Sequence, residues 1–210
     1  MNRILILAPH TDDGELGCGG TIARYIMEGK EVFYVAFSIC EESVPEGYPK
    51  DILKTELDSA TKTLGLKENN VFTLGYKVRK FPDTRQLILD DMIRLRNQLK
   101  VDTVFLPSTQ DVHQDHQVIS AEGIRAFKSC CNIFGYELPW NLTQFSAHAY
   151  VKLEEHHLQK KWEALQCYQT QLQLKRPYFT ENFIRGLAST RGIQIGSDYA
   201  ESFEIIKLIL

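Results

Sequence analysis

Two short segments carry most of the chemistry open to this chain. His10-Thr11-Asp12-Asp13-Gly14-Glu15 sets an imidazole and a carboxylate three residues apart, so both can reach one metal ion from a loop. A neighbouring carboxylate that does not bind the ion can then take a proton from water. The same segment also reads as a loop whose aspartates cap the next helix, since Asp is favoured at N-caps. The residues alone do not choose between the two. His113-Gln114-Asp115-His116, preceded by Asp111, puts two imidazoles on one side of a helical turn. Asp115 stands where it can orient one ring by accepting its other N–H. The competing reading is a polar helix start with surface histidines. Together the clusters make a stronger case. A His–Asp–His set with an open fourth position is a catalytic zinc arrangement, because structural sites are closed and rich in cysteine.

Such clusters need a scaffold that brings them together. Residues 3–8, apolar after Arg3, and 32–38 read as buried strands, 71–74 as a third short strand and 101–106 as a fourth, stopped by Pro107. Between them, 21–28, 52–64 and 83–99 read as helices, with Gly29 and Gly65 as stops. Strand and helix in alternation imply parallel βαβ units. The expected fold is therefore α/β, a Rossmann-like, mostly parallel sheet with helices on both faces. In such folds ligands sit outside the carboxyl ends of the strands. Residues 9–15 follow the first strand and 108–116 follow the fourth, which places both on the same rim. Further on, 117–128 reads as helix, 145–151 as strand, 154–174 as one long helix and 201–208 as a closing strand. Loops 41–50, 75–82 and 135–148 are expected to wall the pocket. They carry Tyr48, Tyr76, Phe81, Tyr136 and Trp140, which could stack on a sugar or belong to core or interface.

The remaining features narrow the class. The chain has 210 residues, enough for a sizeable core in one domain spanning 1–210. The net charge of −3 comes with no basic block, so nucleic acid is not an expected partner. No apolar stretch approaches a membrane span. The five cysteines are odd in number and lack a CxxC spacing, which argues against a disulfide framework and for a reducing cytoplasm. Gly17-Cys18-Gly19-Gly20-Thr21 enters a helix and could cradle a phosphate there. The glycines more simply allow close packing of the first helix, with Cys18 a small core residue. His156 and His157 are expected to face solvent. His148 either lines the cleft or is a hydrogen-bonded structural histidine.

With these motifs in hand, the chain resembles the LmbE-like family, which includes the de-N-acetylase acting on N-acetylglucosaminyl-phosphatidylinositol and bacterial thiol-sugar deacetylases. The family signature, A/P-H-P-D-D-E-x-x-G-x-G-G followed later by H-x-D-H, here reads from Pro9 to Gly20 and from His113 to His116. Glu56, Ala60 and Leu64-Gly65 resemble the family's second helix. Residues 161–171 resemble its late helix. Arg191-Gly192 and the run from Tyr199 to Phe203 resemble its C-terminal block. The resemblance implies that His10, Asp13 and His116 bind zinc and that Asp12 is the general base. It implies that His113, oriented by Asp115, stabilises the oxyanion or protonates the leaving amine. Thr11 and Gly14 depart from the signature, standing where Pro and the first Glu are usual, with Glu15 beside the gap. Leu53 stands where a basic residue is often found.

The expected activity is removal of an N-acetyl group from an N-acetylated amino sugar or glycoconjugate. An amidase on a non-sugar amide or thiol conjugate would use the same machinery. A nucleotide-binding protein without catalysis is the reading from another class. Zinc is the expected cofactor, although a His/His/Asp site accepts other divalent ions. Assembly into a homo-oligomer is left open, as are the roles of Glu15 and His148.

Overall fold

The structure is a computed structural model and describes residues 1–209. Seven strands form one sheet: β1 (Arg3–Ala8), β2 (Glu31–Ala36), β3 (Val71–Thr73), β4 (Thr103–Pro107), β5 (Asn132–Tyr136), β6 (Ala149–Leu153) and β7 (Tyr199–Lys207). Their order is β3-β2-β1-β4-β5-β7-β6. The first five pair in parallel, while β7 runs antiparallel to both β5 and β6. The α/β reading is confirmed.

The apolar run of β1 explains its central place. Ile4 and Ile6 join a core on one face of the sheet, and Leu5 and Leu7 join a second core on the other. The first core receives residues of α1 (Asp13–Met27), α2 (Ile52–Leu64), α5 (Glu155–Leu165) and α7 (Glu181–Ile193). The second receives α3 (Arg85–Leu99) and α4 (Gln114–Phe127). A strand covered on both faces by helices has no polar side, which is why it reads as an unbroken apolar run.

Ile4, Leu5 and Ile6 of β1 pair with Thr103, Val104 and Phe105 of β4. The carboxyl ends of the two strands are therefore neighbours, and the loops that follow them meet on one rim. The chain leaves β1 toward β2 on one side and crosses back to β4 on the other. This reversal of strand order is where open α/β sheets place their ligands.

Several elements differ from expectation. α1 starts at Asp13 rather than near residue 21, and the glycine-rich stretch is helical with a break at Cys18, where φ is −148°. The expected long helix over 154–174 is two helices, α5 and the short α6 (Gln169–Gln173), parted around Tyr168. The Tyr168 hydroxyl donates to the Thr11 carbonyl at 2.7 Å, and Glu56 of α2 accepts the N–H and hydroxyl of Thr170 at 2.9 and 2.6 Å. These two tertiary anchors fix the chain where a straight helix would have carried it away. β5 and α7 were not anticipated.

Candidate active site

His10 leaves the end of β1 with its ring facing the first turn of α4. Its Nδ1 lies 3.1 Å from Oδ2 of Asp13 and 3.3 Å from Nε2 of His116. His116 Nε2 lies 3.3 Å from the same Asp13 oxygen. The three atoms make a nearly equilateral triangle. Metal–nitrogen bonds of about 2.0–2.1 Å at tetrahedral angles require donors about 3.3–3.4 Å apart, so the triangle fits one small divalent cation.

Each imidazole is held from behind. The other nitrogen of His10, Nε2, is 3.0 Å from Oδ2 of Asp115. The other nitrogen of His116, Nδ1, is 2.8 Å from Oδ2 of Asp111. Carboxylates in this position fix tautomer and ring orientation in metal-binding histidines. The Asp115 carboxylate therefore grips His10, not His113 as expected. Its remaining acceptor capacity is used by the backbone N–H groups of Arg79 at 2.5 Å and Phe81 at 3.3 Å. Asp111 was absent from the expected site residues. Its other oxygen accepts the His113 N–H at 2.8 Å, which shapes the turn into α4.

His113, His10 and His116 form a trio whose ring nitrogens could also hold a metal. The hydrogen bonding of His113 favours another use for it. Its Nδ1 accepts the Asp115 N–H at 3.2 Å, capping α4. That leaves the proton of a neutral ring on Nε2. A protonated nitrogen donates to an oxygen and cannot ligate a metal.

Asp12 is at the N-cap position of α1, yet its side chain makes no capping hydrogen bond. It lines a cavity of about 260 Å³ together with His10, Asp13, His113 and His116. The helix-capping reading of this segment is therefore set aside. Burial, followed by the charge of Asp13, pushes the Asp12 carboxyl up to about 6. Burial opposes charge on Asp13 too, but His116 and His10 outweigh it and hold that carboxyl well below the usual range. Burial opposes a charged His116, yet Asp13 and Asp111 prevail and raise it to about 10. The pocket floor is thus an electrostatic well for positive charge. His113 moves the other way, lowered by its burial and then by the neighbouring His116 and His10.

The loop after β1 rests on a buried polar cluster. The hydroxyls of Tyr34 and Tyr168 both reach the Thr11 carbonyl, at 2.9 and 2.7 Å, and both contact the Glu15 carboxyl, at 2.5 and 3.0 Å. Two phenolic protons cannot serve four contacts. A protonated Glu15 supplies a third, and burial pushes this carboxyl up to about 8. Glycine at position 14 has a steric reason. A Cβ there would stand 2.5 Å from the ring of Tyr34, so the phenol fills the space where a larger side chain would begin.

The glycine-rich turn holds no room for a nucleotide. The N–H groups of Gly20 and Thr21, freed by the break at Cys18, donate to Glu201 at 3.0 and 2.7 Å. Lys161 closes the arrangement by donating to Glu201 and to the Leu16 carbonyl, both at 2.7 Å. The chain's own carboxylate occupies the anion position. Cβ atoms at Gly17, Gly19 and Gly20 would come within 2.4, 2.9 and 2.5 Å of Tyr136, Lys161 and Leu153, so the glycines serve close packing. Cys18 is buried, and burial drives its thiol well above the ordinary value.

Of the expected wall loops, Ser43, Val78, Arg79, Trp140 and Asn141 face the cavity. Among the aromatic candidates only Trp140 lines it. Tyr136 is core, and Tyr76 and Tyr48 bond to Asp91 and Gln173. A further wall segment brings Gln171, the last residue of the late-helix resemblance, together with Arg176 and Tyr178, which carried no site signal in the sequence. His148 is exposed and outside the cavity. His157 is not solvent-facing as expected: it is buried, and its Nδ1 accepts the Glu154 N–H at the start of α5.

Residues 5–127, more than half of the chain, match the family model described as PIG-L, GlcNAc-PI de-N-acetylase. The chain belongs to this family. The PIG-L match spans both histidine clusters and the strands that carry them. Over 172 residues the chain is 28% identical to the uncharacterized deacetylase YaiS of Escherichia coli (strain K12), covering 77% of this chain and 88% of that one. The conserved protein TT1542 from Thermus thermophilus superposes with a TM-score of 0.82 at 26% identity, covering 100% of this chain and 97% of that one. N,N'-diacetylchitobiose deacetylase from Pyrococcus horikoshii shares the fold with a TM-score of 0.80 at 22% identity, over 98% of this chain and 84% of that one. Among the described residues, no helix is long and apolar enough to cross a membrane.

Proposed function

We propose that this member of the PIG-L family is a zinc-dependent hydrolase that removes an N-acetyl group from an amino sugar or glycoconjugate. The observation that carries the reading is the donor triangle of His10 Nδ1, Asp13 Oδ2 and His116 Nε2, with Asp115 and Asp111 behind the two rings. Zinc at this position would polarise the acyl carbonyl and make water nucleophilic near neutral pH. The matched family and the diacetylchitobiose deacetylase of Pyrococcus that shares the fold support acetylated sugar as the substrate class.

The protein's own groups account for the rest of the reaction. Asp12 lines the cavity beside Asp13 and, with a carboxyl pushed up to about 6, is ionised at neutral pH yet basic enough to accept a proton. It takes one proton from the attacking water as the water oxygen bonds to the acyl carbon. The Nε2–H of His113 points its donor at the carbonyl oxygen as negative charge develops there. The bond from acyl carbon to nitrogen then breaks, the amine leaves with the proton that Asp12 received, and the acetic acid that remains gives up its own proton to solvent as acetate.

Elemental analysis of chelator-free protein, paired with an acetate-release assay over N-acetylated sugars, tests the proposal. About one zinc per chain, with release lost on chelation and regained on reloading, is expected. A protein that neither carries nor takes up a divalent metal overturns it.

A further inference from the structure

The cavity wall carries positive charge to which the hydrolysis assigns no role beyond the pull of Arg176 on the Asp12 carboxyl. Its lining includes two permanently charged cations, Arg79 and Arg176. Every other arginine of the chain has its guanidinium held by a carboxylate or a backbone carbonyl. Among the described residues, Arg79 has no side-chain partner, and Arg176 reaches only a neutral phenol. We propose that these two arginines select acylated amino sugars bearing an oxyanion, either a phosphate monoester or a carboxylate. The proposal rests on the deacetylase reading and adds to it the substituent that the sugar carries.

Both arginines are placed with care. Arg79 has φ of 65°, in the left-handed region that favours glycine. Its backbone is kept there by the Asp115 carboxylate, which accepts the Arg79 N–H at 2.5 Å. An arginine maintained where glycine is easier points to use of its side chain. Arg176 donates to the hydroxyl of Tyr178 at 2.7 Å. The Tyr178 ring stacks on Trp140 with centroids 3.8 Å apart and planes 12° apart. The stack fixes the guanidinium on the wall and leaves most of its donors free. Guanidinium presents a planar fork that matches the oxygens of carboxylate and phosphate. Leu53 lines the same cavity as an apolar surface. The positive charge comes instead from the loop after β3 and the segment after α6.

The test measures binding by calorimetry on zinc-loaded protein in an Asp12→Asn background, which keeps the ligands intact. N-acetylglucosamine is compared with its 1-phosphate, its 6-phosphate and N-acetylmuramic acid. At least one anionic ligand should bind about 10- to 100-fold tighter than the neutral sugar, with the advantage shrinking as salt is added. The phosphate and carboxylate arms distinguish the two sources of the oxyanion. Arg79→Gly, which relaxes the backbone while removing the charge, and Arg176→Gln should each erase most of that advantage, read as the ratio of anionic to neutral-sugar affinity within each variant. The proposal is overturned if no anionic ligand exceeds the neutral sugar, or if the preference survives in the double variant. Acetate release by the wild-type enzyme from the same compounds reports separately on the deacetylase reading. Anion preference without acetate release sinks only that reading.

Discussion

The carboxylate of Asp115 lies 3.0 Å from Nε2 of His10, across 105 positions of sequence. It joins the turn after β1 to the first turn of α4 and sets the face that His10 presents to Asp13 and His116. Removing its charge without changing its shape, as in Asp115→Asn, should weaken zinc retention about 10- to 100-fold. Asp111→Asn should act similarly through His116. Competition with a chelating indicator reads both. Affinities equal to wild type would deny these carboxylates any part in holding the metal.

Asp12 and His116 separate catalysis from metal binding. Asp12→Asn should keep its zinc and lose turnover, whereas His116→Ala should lose the zinc. Elemental analysis and acetate release on the same samples tell the two apart. An Asp12→Asn enzyme with near-normal turnover removes Asp12 as the base.

The pH profile follows from the same residue. Asp12 accepts a proton only when ionised, and burial with the nearby Asp13 places its carboxyl at about 6. A cation bound beside it favours the ionised form and lowers that value. Activity should therefore be present at neutral pH and fall as pH drops through about 6 or below. An acid limb of kcat/KM centred above about 7 contradicts the assignment.

His113 caps α4 through Nδ1, which leaves Nε2–H for the substrate. His113→Ala should keep stoichiometric zinc and lower kcat by about 10²- to 10³-fold. His113→Asn, which can still cap the helix, separates the two roles, since its melting temperature should stay near that of wild type while its rate remains low. Loss of zinc in either variant would move His113 into the ligand set.

Gly14 is bound to its neighbour by contact. Gly14→Ala drives a Cβ to 2.5 Å from the Tyr34 ring and should cost about 1–3 kcal/mol of stability by overpacking, measured by denaturant unfolding. Stability equal to wild type would mean that Tyr34 moves aside freely.

Much of this site is legible in the sequence. The strand patterns of β1 and β4 mark two parallel strands, and the polar segments directly after them then fall on one rim; that the two strands are neighbours is seen only in the structure. The parts that were not legible arise from contacts between distant positions. No local pattern pairs Asp115 with His10 rather than with its near neighbour His113. The glycine-rich stretch after Asp13 has poor helix propensity, yet it is helical because Glu201 and Lys161 satisfy the groups freed at its break. β5 is five residues long with a glycine inside it, too short to show a period. Arg176 and Tyr178 follow α6 in a segment with no chemical motif, and only the stack on Trp140 carries them to the cavity.

The adjacency of β1 and β4 has a consequence for the order in which the molecule is made. His10 and Asp13 leave the ribosome before the rest of the site, and His116 and its partner Asp111 follow only after three intervening helices and three more strands. Until β4 slots in beside β1, the nascent chain offers a fragment of the proposed donor set, too few ligands for a firm hold on a cation. On the proposed function, metal capture would be a late event in maturation, and the bound ion would act as a staple across a long loop of chain.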